Sequence, residues 1–380
     1  MSESIGEILP GQWLGLLGGG QLGRMFAIAA QSMGYRVAVL DPAEQSPAAA
    51  VADRHVRADY LDLKGLSEIA ALCRAVTTEF ENVPAQALAI LATQCRVSPG
   101  AGAVVIAQDR AREKAFLRAA GIDTAPYAEI AGGKDIDSAA ADLFPGILKA
   151  SRLGYDGKGQ MQVAGCAEAH VAFGQLGGVH CVLERRLALQ CEVSVVVARN
   201  ERGETGVHAV TENEHVGGVL AMSIVPARVS SAVAERARST ALRIAEELGY
   251  VGVLCVEFFV LPGDRVLVNE IAPRPHNSAH HTIEACMTSQ FEQQVRVLAG
   301  LPVGSTVQRC PAVMLNLLGD IWSGGEPDWT QAIANPEVKL HLYGKRDARP
   351  GRKMGHITCL GATIDQAFAT ASAIRRDFGF

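Results

Sequence analysis

The chain has 380 residues, of which 48% are hydrophobic and 20% charged, a composition typical of a folded protein with more than one core. Its 35 basic and 40 acidic residues give a formal net charge of −5 without any basic tract, which makes nucleic acid a poor candidate partner. Nine cysteines without a Cys-x-x-Cys pair indicate reduced thiols. The sequence lacks a signal-peptide pattern and an apolar run of spanning length, so we expect a cytoplasmic protein with no membrane contact.

The N-terminal part has the pattern of a parallel α/β sheet. The apolar run Trp13–Leu17 predicts a strand, apolar residues at helical spacing from Leu22 to Met33 predict a helix, and Arg36–Leu40 predicts the next strand. Ala75–Phe80 is a further candidate strand. We therefore predict a first α/β domain that ends near residue 107.

A glycine-rich turn follows the first strand. Gly18, Gly20 and Gly23, with Asp41 after the second strand, are similar to the fingerprint of dinucleotide-binding proteins. Similar loops bind other phosphates or no ligand at all, so a nicotinamide-dependent dehydrogenase is an alternative rather than the preferred interpretation.

A second glycine-rich segment indicates a nucleotide site. Asp109 is a predicted N-cap for a helix that continues to Ala120. Further along, Lys149 lies within an apolar strand, where a lysine is seldom buried without a partner. The loop Gly154–Gln160 contains three glycines and Lys158, so its backbone N–H groups can approach an anion. A lysine on a strand beneath such a loop favours a phosphate site over a mobile surface loop.

Two strands near the middle of the chain form a predicted hairpin. Val253–Val260 and Arg265–Ile271 flank Gly263–Asp264, which has the composition of a two-residue turn. This turn pairs Pro262 with Arg265.

Counting outward from that turn places Glu257 opposite Glu270 on one face of the sheet. Two facing carboxylates repel each other, and a divalent cation between them removes the repulsion. Oxygen ligands favour magnesium over zinc, and Asn269 is a candidate ligand at the rim. The alternative is a solvated pair at a sheet edge.

The segment after this hairpin contains a candidate oxyanion site. Arg274 lies between two prolines, which hold the backbone extended and allow the guanidinium to present a fork to carboxylate or bicarbonate. We expect His280 and His281 to be surface or capping residues and assign them no role.

The C-terminal part has short β-segments and a closing helix over 365–376. Pro350–Gly351 forms a predicted turn that brings Arg352 and Lys353 together, which suits a phosphate monoester. A solvated basic loop is the alternative.

Five segments, in this order, resemble the ATP-grasp superfamily over essentially the whole chain. Within the superfamily they are most similar to the family of 5-(carboxyamino)imidazole ribonucleotide synthetases. The segments are Gly18–Met25, Thr78–Val83, Gly154–Gln160, Asn269–Ser278 and Arg349–His356.

This resemblance implies an architecture of mixed α/β and α+β class. Residues 1–107 would form a doubly wound, Rossmann-like pre-ATP-grasp domain and 108–305 a two-part ATP-grasp region, with a lid subdomain at about 120–188. Residues 306–380 would form a small β-rich domain. Members of the family are usually homodimers, so we expect one here.

The resemblance also implies two ligand sets. Those for ATP are Arg110, Lys149, the loop Gly154, Tyr155, Asp156, Gly157, Lys158, Gly159 and Gln160, the adenine hinge Glu184, Arg185, Arg186 and Leu187, then Glu192 for ribose, His215, Asn269 and Glu270. Those for aminoimidazole ribonucleotide are Gln21, Leu22, Glu79, Asn277, Lys345, Arg352 and Lys353. Glu257 and Glu270 become ligands of Mg²⁺, with Mn²⁺ able to substitute.

The implied reaction is ATP-dependent carboxylation of the exocyclic amine of 5-aminoimidazole ribonucleotide by bicarbonate, through carboxyphosphate. Arg274 would orient bicarbonate, and His276 and Asp156 are candidates for proton transfer. Ala279 and Cys191 stand where the family usually has glycine, and we expect local adjustment at both.

Two further alternatives differ in testable ways. The sister ligase formylates glycinamide ribonucleotide with formate, but Gln21 and Asn277 stand where that enzyme has Glu and Asp. A regulator that binds nucleotide without turnover fits poorly, because residues for metal, γ-phosphate and acceptor are all present.

Overall fold

The computed structural model describes residues 6–154 and 157–379, and within these ranges the strands form three sheets. No helix in the described ranges combines the length and the apolar character that crossing a membrane requires.

The N-terminal region is a doubly wound parallel sheet with the strand order β3-β2-β1-β4-β5. The pattern predicted from the sequence is confirmed, except that the strand expected over Ala75–Phe80 ends at Thr78. Its elements are β1 (Trp13–Leu17), α1 (Gln21–Ser32), β2 (Arg36–Leu40), β3 (Arg54–Val56), α2 (Leu63–Leu72), β4 (Ala75–Thr78), α3 (Ala85–Leu91), β5 (Arg96–Val97) and α4 (Ala101–Ala107).

The next region contains a four-stranded antiparallel sheet, here called the lid sheet, with the order β6-β9-β7-β8. The helix before it begins as predicted, because the Asp109 carboxylate accepts hydrogen bonds from the backbone N–H groups of Ala111 and Arg112. The elements are α5 (Arg110–Ala119), β6 (Tyr127–Ile130), α6 (Gly133–Asp137), β7 (Gly146–Ala150), β8 (Gln160–Val163), α7 (Cys166–Gln175) and β9 (Cys181–Arg185).

The remaining strands form one large sheet, here called the central sheet. Its order is β15-β14-β10-β12-β13-β16-β18-β17, with β11 paired to β10. The elements are β10 (Cys191–Arg199), β11 (Thr205–Val207), β12 (Thr211–Val216), β13 (Val219–Val225), α8 (Ser231–Glu247), β14 (Gly252–Leu261), β15 (Arg265–Ala272), α9 (Thr282–Ala285), α10 (Gln290–Leu298), β16 (Ala312–Leu318), α11 (Trp329–Ile333), β17 (Val338–Leu342), β18 (Lys353–Leu360) and α12 (Ile364–Phe378). Because β13 pairs with β16, the C-terminal strands extend this sheet rather than forming a separate one.

Two cores hold these regions together. On one face of the central sheet, Val193 and Val195 pack with Ile244 of α8 in a buried apolar cluster. In a second cluster, Phe26 of α1 packs with Phe291 of α10, which fixes the N-terminal sheet against the central region. Burial of apolar surface is the main stabilising contribution at both places.

The β14–β15 hairpin differs from its predicted register at the turn. Leu261, not Pro262, pairs with Arg265, so three residues form the turn, and Gly263 and Asp264 both have positive φ (78° and 60°). The predicted two-residue turn is therefore wrong.

Glu257 nevertheless pairs with Glu270, as the sequence predicted. A register shift next to Glu257 inserts Asn269 as an extra residue on β15 and restores the pairing. The one-residue shift at the turn and the one-residue bulge at Asn269 therefore offset each other, and the register at Glu257 is the predicted one.

Candidate active site

The cross-strand register of the central sheet assembles a polar face. Side chains alternate along β10, so Val193 and Val195 point into the core with α8 while Glu192 and Ser194 point to the opposite side. Ser194 pairs with Glu257, which in turn pairs with Glu270. Residues directly opposite each other share a face, so the candidate metal carboxylates and the candidate ribose ligand Glu192 lie on one surface.

Hydrogen bonds continue this polar face away from the carboxylates. The hydroxyl groups of Ser278 and Ser194 lie 2.7 Å apart, and the Asn213 amide donates to Ser194 at 2.9 Å. Ser223 donates to the Asn213 carbonyl oxygen at 2.9 Å. Ser278 also lies 2.8 Å from Nδ1 of His276. This network was not predicted from the sequence, because its members are separated along the chain.

Lys149 is buried in β7, as the sequence predicted, and the structure identifies its anionic partner as Glu184, a residue that the resemblance assigned to the adenine hinge. Nζ of Lys149 lies 3.0 Å from one carboxylate oxygen of Glu184, and Nζ of Lys114 lies 3.2 Å from the other. Burial lowers the pKa of Lys149. Although burial raises the pKa of Glu184, the two lysines lower it to about 2, so its carboxylate remains ionised. Two lysines and one carboxylate leave a net positive site for phosphate.

Lys114 is absent from the sequence-predicted set. It lies one helical turn after Arg110 on α5 and is 1% exposed, so both side chains project from one face of the helix. That i, i+4 spacing was the available signal, since two cations on the buried face of a helix require an anionic partner.

Arg110 connects this cationic group to Glu270, one of the two candidate metal carboxylates. Its guanidinium lies 2.9 Å from the carboxylate of Glu270. Glu113, also missed from the sequence, accepts a hydrogen bond from the backbone N–H of Ile271, and burial together with Glu270 raises the pKa of Glu113 to about 8.

Glu257, Glu270 and Asn269 fit a cation that prefers oxygen ligands. One oxygen of Glu257 lies 2.9 Å from Nε2 of His276, and one oxygen of Glu270 contacts Arg110. The carbonyl oxygen of the Asn269 side chain is buried and has no hydrogen-bond partner among the described residues. Facing carboxylates and an unpartnered amide oxygen form the donor set that magnesium favours.

The predicted phosphate loop approaches the hairpin β12–β13. Gly157 and Gly159 have positive φ (74° and 73°), and a Cβ on Gly157 would lie 3.1 Å from Cα of Gly218. Gly154 lies at the other end of the loop, near Arg110, and Gln160 begins β8. Lys158 is exposed. Tyr155 and Asp156 lie outside the described residues.

The other residues assigned to the nucleotide flank this cleft. Nδ1 of His215 lies 3.4 Å from the Glu192 carboxylate, which raises the pKa of the imidazole although burial lowers it. In the hinge, the Arg185 guanidinium bonds to the backbone and carboxylate of Asp142, Arg186 is exposed, and Leu187 is half-buried.

Arg274 is held by a carboxylate from the N-terminal region. Its Nε donates to Glu81, and Nη1 donates to the Pro275 carbonyl at 3.2 Å. Although burial raises the pKa of Glu81, Arg274 lowers it to about 2. Glu81 lies in a motif that carries the family resemblance but was not itself assigned a role.

The residues assigned to the ribonucleotide come from distant parts of the chain. Nζ of Lys345 donates to Oε1 of Gln21 and, at 2.6 Å, to the backbone carbonyl of Lys353. Arg352 donates to the Asp347 carbonyl at 2.8 Å. The structure thus joins the start of α1 to the basic loop before β18.

Asn277 is also held in place, but by a residue that the sequence did not indicate. Asn316 on β16 exchanges two side-chain hydrogen bonds with it. His280 and His281 are not surface residues, since they are 0% and 1% exposed, but both occupy the expected capping positions: His280 ends the 3-10 helix Asn277–Ala279, and His281 precedes α9.

The glycine-rich turn before α1 binds the protein's own carboxylates. Glu79 accepts from the backbone N–H groups of Gly20 and Gly23 at 2.7 and 3.1 Å, and Asp41 accepts from Gly19 at 2.7 Å. A Cβ on Gly20 would lie 2.3 Å from the Glu79 carboxylate. The helix N-terminus therefore already has anionic partners, which argues against a bound dinucleotide. Leu22, the second residue of α1, is buried in the core.

A parallel domain, a lid sheet and a cleft with lysines on one side and paired carboxylates on the other define an ATP-grasp protein. Family models match along the chain: a ribonucleotide synthetase preATP-grasp domain over 12–108, an ATP-grasp domain over 115–291 and a phosphoribosylaminoimidazole carboxylase C-terminal domain over 312–370.

Comparisons of the whole chain with known proteins identify the family within the ATP-grasp class. The chain is 45% identical to the N5-carboxyaminoimidazole ribonucleotide synthase of Brucella melitensis, covering 93% of this chain and 97% of the relative. It superposes with a TM-score of 0.89 on the Staphylococcus aureus N5-carboxyaminoimidazole synthetase complexed with ADP, at 36% identity and with 98% and 99% of the two chains covered. The superposition on the Aspergillus clavatus synthase in complex with ADP and 5-aminoimidazole ribonucleotide also has a TM-score of 0.89. The identity is 30%, and 97% of this chain and 98% of that chain are covered. The chain belongs to the N5-carboxyaminoimidazole ribonucleotide synthase family.

Proposed function

We propose that the protein is an ATP-dependent ligase that carboxylates the exocyclic amine of 5-aminoimidazole ribonucleotide. The products are N5-carboxyaminoimidazole ribonucleotide, ADP and phosphate, in de novo purine biosynthesis. The supporting observation is the segment from Glu270 to Asn277: Glu270 contacts Arg110 in the nucleotide cleft, while Asn277 joins Asn316 beneath the acceptor site. One short segment therefore connects the two reactants.

ATP binds between the lid sheet and the polar face of the central sheet. Lys149 and Arg110 offset the negative charge of the phosphates, and the backbone of the Gly154–Gln160 loop covers them. Glu257, Glu270 and Asn269 are the residues that would hold Mg²⁺, or Mn²⁺ in its place. When bound, the ion neutralises charge on the β- and γ-phosphates.

Carboxylation follows from two displacements. A bicarbonate oxygen attacks the γ-phosphorus, a new O–P bond forms and the bond to ADP breaks, which gives carboxyphosphate. The amine nitrogen of the ribonucleotide then bonds to the carboxyl carbon, directly or after release of carbon dioxide, and phosphate leaves. The amine must lose a proton, for which His276 and Asp156 are candidates.

Arg274 orients bicarbonate in this scheme. Its Nε is occupied by Glu81, which fixes the plane of the guanidinium and directs the remaining N–H groups as a unit. Lys345, Arg352 and Lys353 receive the ribonucleotide phosphate, and Gln21, Leu22, Glu79 and Asn277 line the rest of its site. The protein works as a homodimer in the cytoplasm.

The test is ADP release by purified protein with Mg-ATP, 5-aminoimidazole ribonucleotide and bicarbonate, omitting each in turn. We expect release to require all of them and to be lost in Glu270→Ala but retained in the surface control Glu337→Ala. A requirement for formate and glycinamide ribonucleotide instead would assign the protein to the sister ligase. ATP binding without turnover in either mixture would contradict both assignments.

A further inference from the structure

A group of three side chains outside the nucleotide cleft combines the donors of a transition-metal site. Asp137, Cys166 and His170 each offer one ligand atom, and the three atoms lie within 4.8 Å of one another. All three side chains are exposed. Neither the family resemblance nor the proposed reaction uses any of them.

Two neighbouring helices bring the three donors together. Asp137 is the last residue of α6, and Cys166 is the first residue of α7. His170 follows Cys166 by four residues, so thiol and imidazole project from the same side of α7. The ring of His170 also lies close to Gly133, where an added Cβ would be 3.2 Å from Cε1.

The three donors lie at hydrogen-bonding distances that binding of a shared cation would change only slightly. Oδ1 of Asp137 lies 2.8 Å from Nε2 of His170 and 3.7 Å from Sγ of Cys166. Ligand atoms on tetrahedral zinc are about 3.4 Å apart, given bonds of about 2.0 Å to N and O and 2.3 Å to S. The carboxylate–thiol distance is therefore near the bound value, and the carboxylate–imidazole distance needs to open by only about 0.6 Å.

Hydrogen bonds join Oδ1 of Asp137 to His170 and Cys166, but Asp137 has no part in capping α7. Glu168, not Asp137, accepts the hydrogen bond from Ala164 at the start of α7. A solvent-exposed pair such as Asp137 and His170 contributes little to stability. Partial desolvation of the sulfur by its neighbours, together with the charge of Asp137, raises the pKa of the exposed Cys166 thiol, so a metal has to displace a proton in order to bind.

We infer that Asp137, Cys166 and His170 form a binding site for a divalent ion of the zinc class, with a fourth position open to water. Thiolate and imidazole together select such ions over magnesium. A bound ion links α6 to α7 on the outer face of the lid sheet. This inference does not rest on the proposed function, since none of the three residues contributes to the nucleotide cleft.

Zinc binding is measured directly, on tag-free full-length protein that has been stripped with chelator. Zinc is titrated by calorimetry and by competition with a chromophoric chelator, with Mg²⁺ in large excess to occupy oxygen-only sites. Cobalt replaces zinc in a parallel experiment, because a thiolate–cobalt charge-transfer band reports sulfur ligation. We expect one zinc ion per chain, and a cobalt spectrum that includes this band.

Variants decide whether the three residues are the ligands. Cys166→Ser, His170→Ala and Asp137→Asn should each weaken zinc binding on the order of tenfold or more, and Cys166→Ser should remove the cobalt band. Matched controls are His180→Ala, which alters another exposed histidine–carboxylate pair of the same region, and Cys310→Ser; both should bind as the wild type does. The inference would be overturned if the wild-type protein did not bind zinc stoichiometrically. It would also be overturned if Cys166→Ser and His170→Ala bound zinc as tightly as the wild type does.

Discussion

Asn277 and Asn316 hold each other's side-chain amides through two hydrogen bonds, of 2.9 and 2.7 Å. Asn277 begins the 3-10 helix Asn277–Ala279, which follows the candidate metal carboxylates, and Asn316 is on β16. Asn316 also donates to the backbone carbonyl of Leu220 at 2.7 Å, so its own orientation is fixed by the neighbouring strand. A strand of the C-terminal region therefore positions a residue assigned to the ribonucleotide.

Asn316→Ala should raise the KM for 5-aminoimidazole ribonucleotide about tenfold, because about 1.4 kcal/mol of binding is lost when Asn277 is no longer held. The KM for ATP should stay within about twofold, since Asn316 does not reach the nucleotide cleft. Steady-state kinetics with each substrate varied in turn measures both effects, with the exposed Asn335→Ala as the control. Equal increases in both KM values would indicate general loss of structure instead.

Glu81→Gln should lower kcat/KM for bicarbonate about 10- to 100-fold, because the neutral amide holds Arg274 less firmly. The amide keeps the size of the side chain, so the fold and ATP affinity should be retained. Arg274→Ala should be more severe and abolish carboxylation while still binding nucleotide. If Glu81→Gln turns over at the wild-type rate, the ion pair has no role in positioning Arg274.

Lys114→Met should weaken ATP binding, because Glu184 then neutralises Lys149 one-to-one and the net positive charge beside the phosphates disappears. We expect a loss of about 1–3 kcal/mol in ATP affinity, measured by calorimetry with a non-hydrolysable analogue. Lys134→Met, an exposed lysine of the same region, is the control. If Lys114→Met bound ATP with unchanged affinity, Lys114 would have a structural role only.

Acid should destabilise the protein below about pH 6.5. Burial lowers the pKa of His208 to about 3 and that of the neighbouring His281 to about 4, whereas both titrate near 6.5 in the unfolded chain. The unfolded state therefore takes up protons first as the pH falls, and each histidine costs about 2 kcal/mol of stability between pH 6.5 and pH 5.

His208→Leu tests this source of acid sensitivity. Both ring nitrogens of His208 are buried without hydrogen-bond partners among the described residues, so the change removes a titrating group without breaking a hydrogen bond. Denaturant unfolding at pH 7.5 and pH 5 should show a loss of stability that is about 2 kcal/mol smaller in the variant. The same loss in variant and wild type would exclude His208 as a contributor.

The sequence by itself determined the features that depend on local pattern. The apolar run Trp13–Leu17 predicted β1, the Asp109 cap predicted the start of α5, and the apolar strand around Lys149 required an anionic partner for the lysine. The Glu257–Glu270 pairing was also predicted, although the turn was misread. The alternation of side chains along a strand shows which face of the sheet a residue occupies. It does not reveal a bulge, because a single extra residue such as Asn269 is not distinguished by hydrophobicity from its polar neighbour.

Tertiary structure alone decided which groups complete the site. Glu184 proved to be the partner of both Lys149 and Lys114, Glu81 the partner of Arg274, and Asn316 the partner of Asn277, each across a long separation in the chain. The glycine-rich turn, which by pattern alone resembled a dinucleotide site, bonds instead to Glu79 and Asp41. Sequence periodicity does not indicate the partner of such a polar side chain, because the partner depends on where the packed sheets and helices place the two residues.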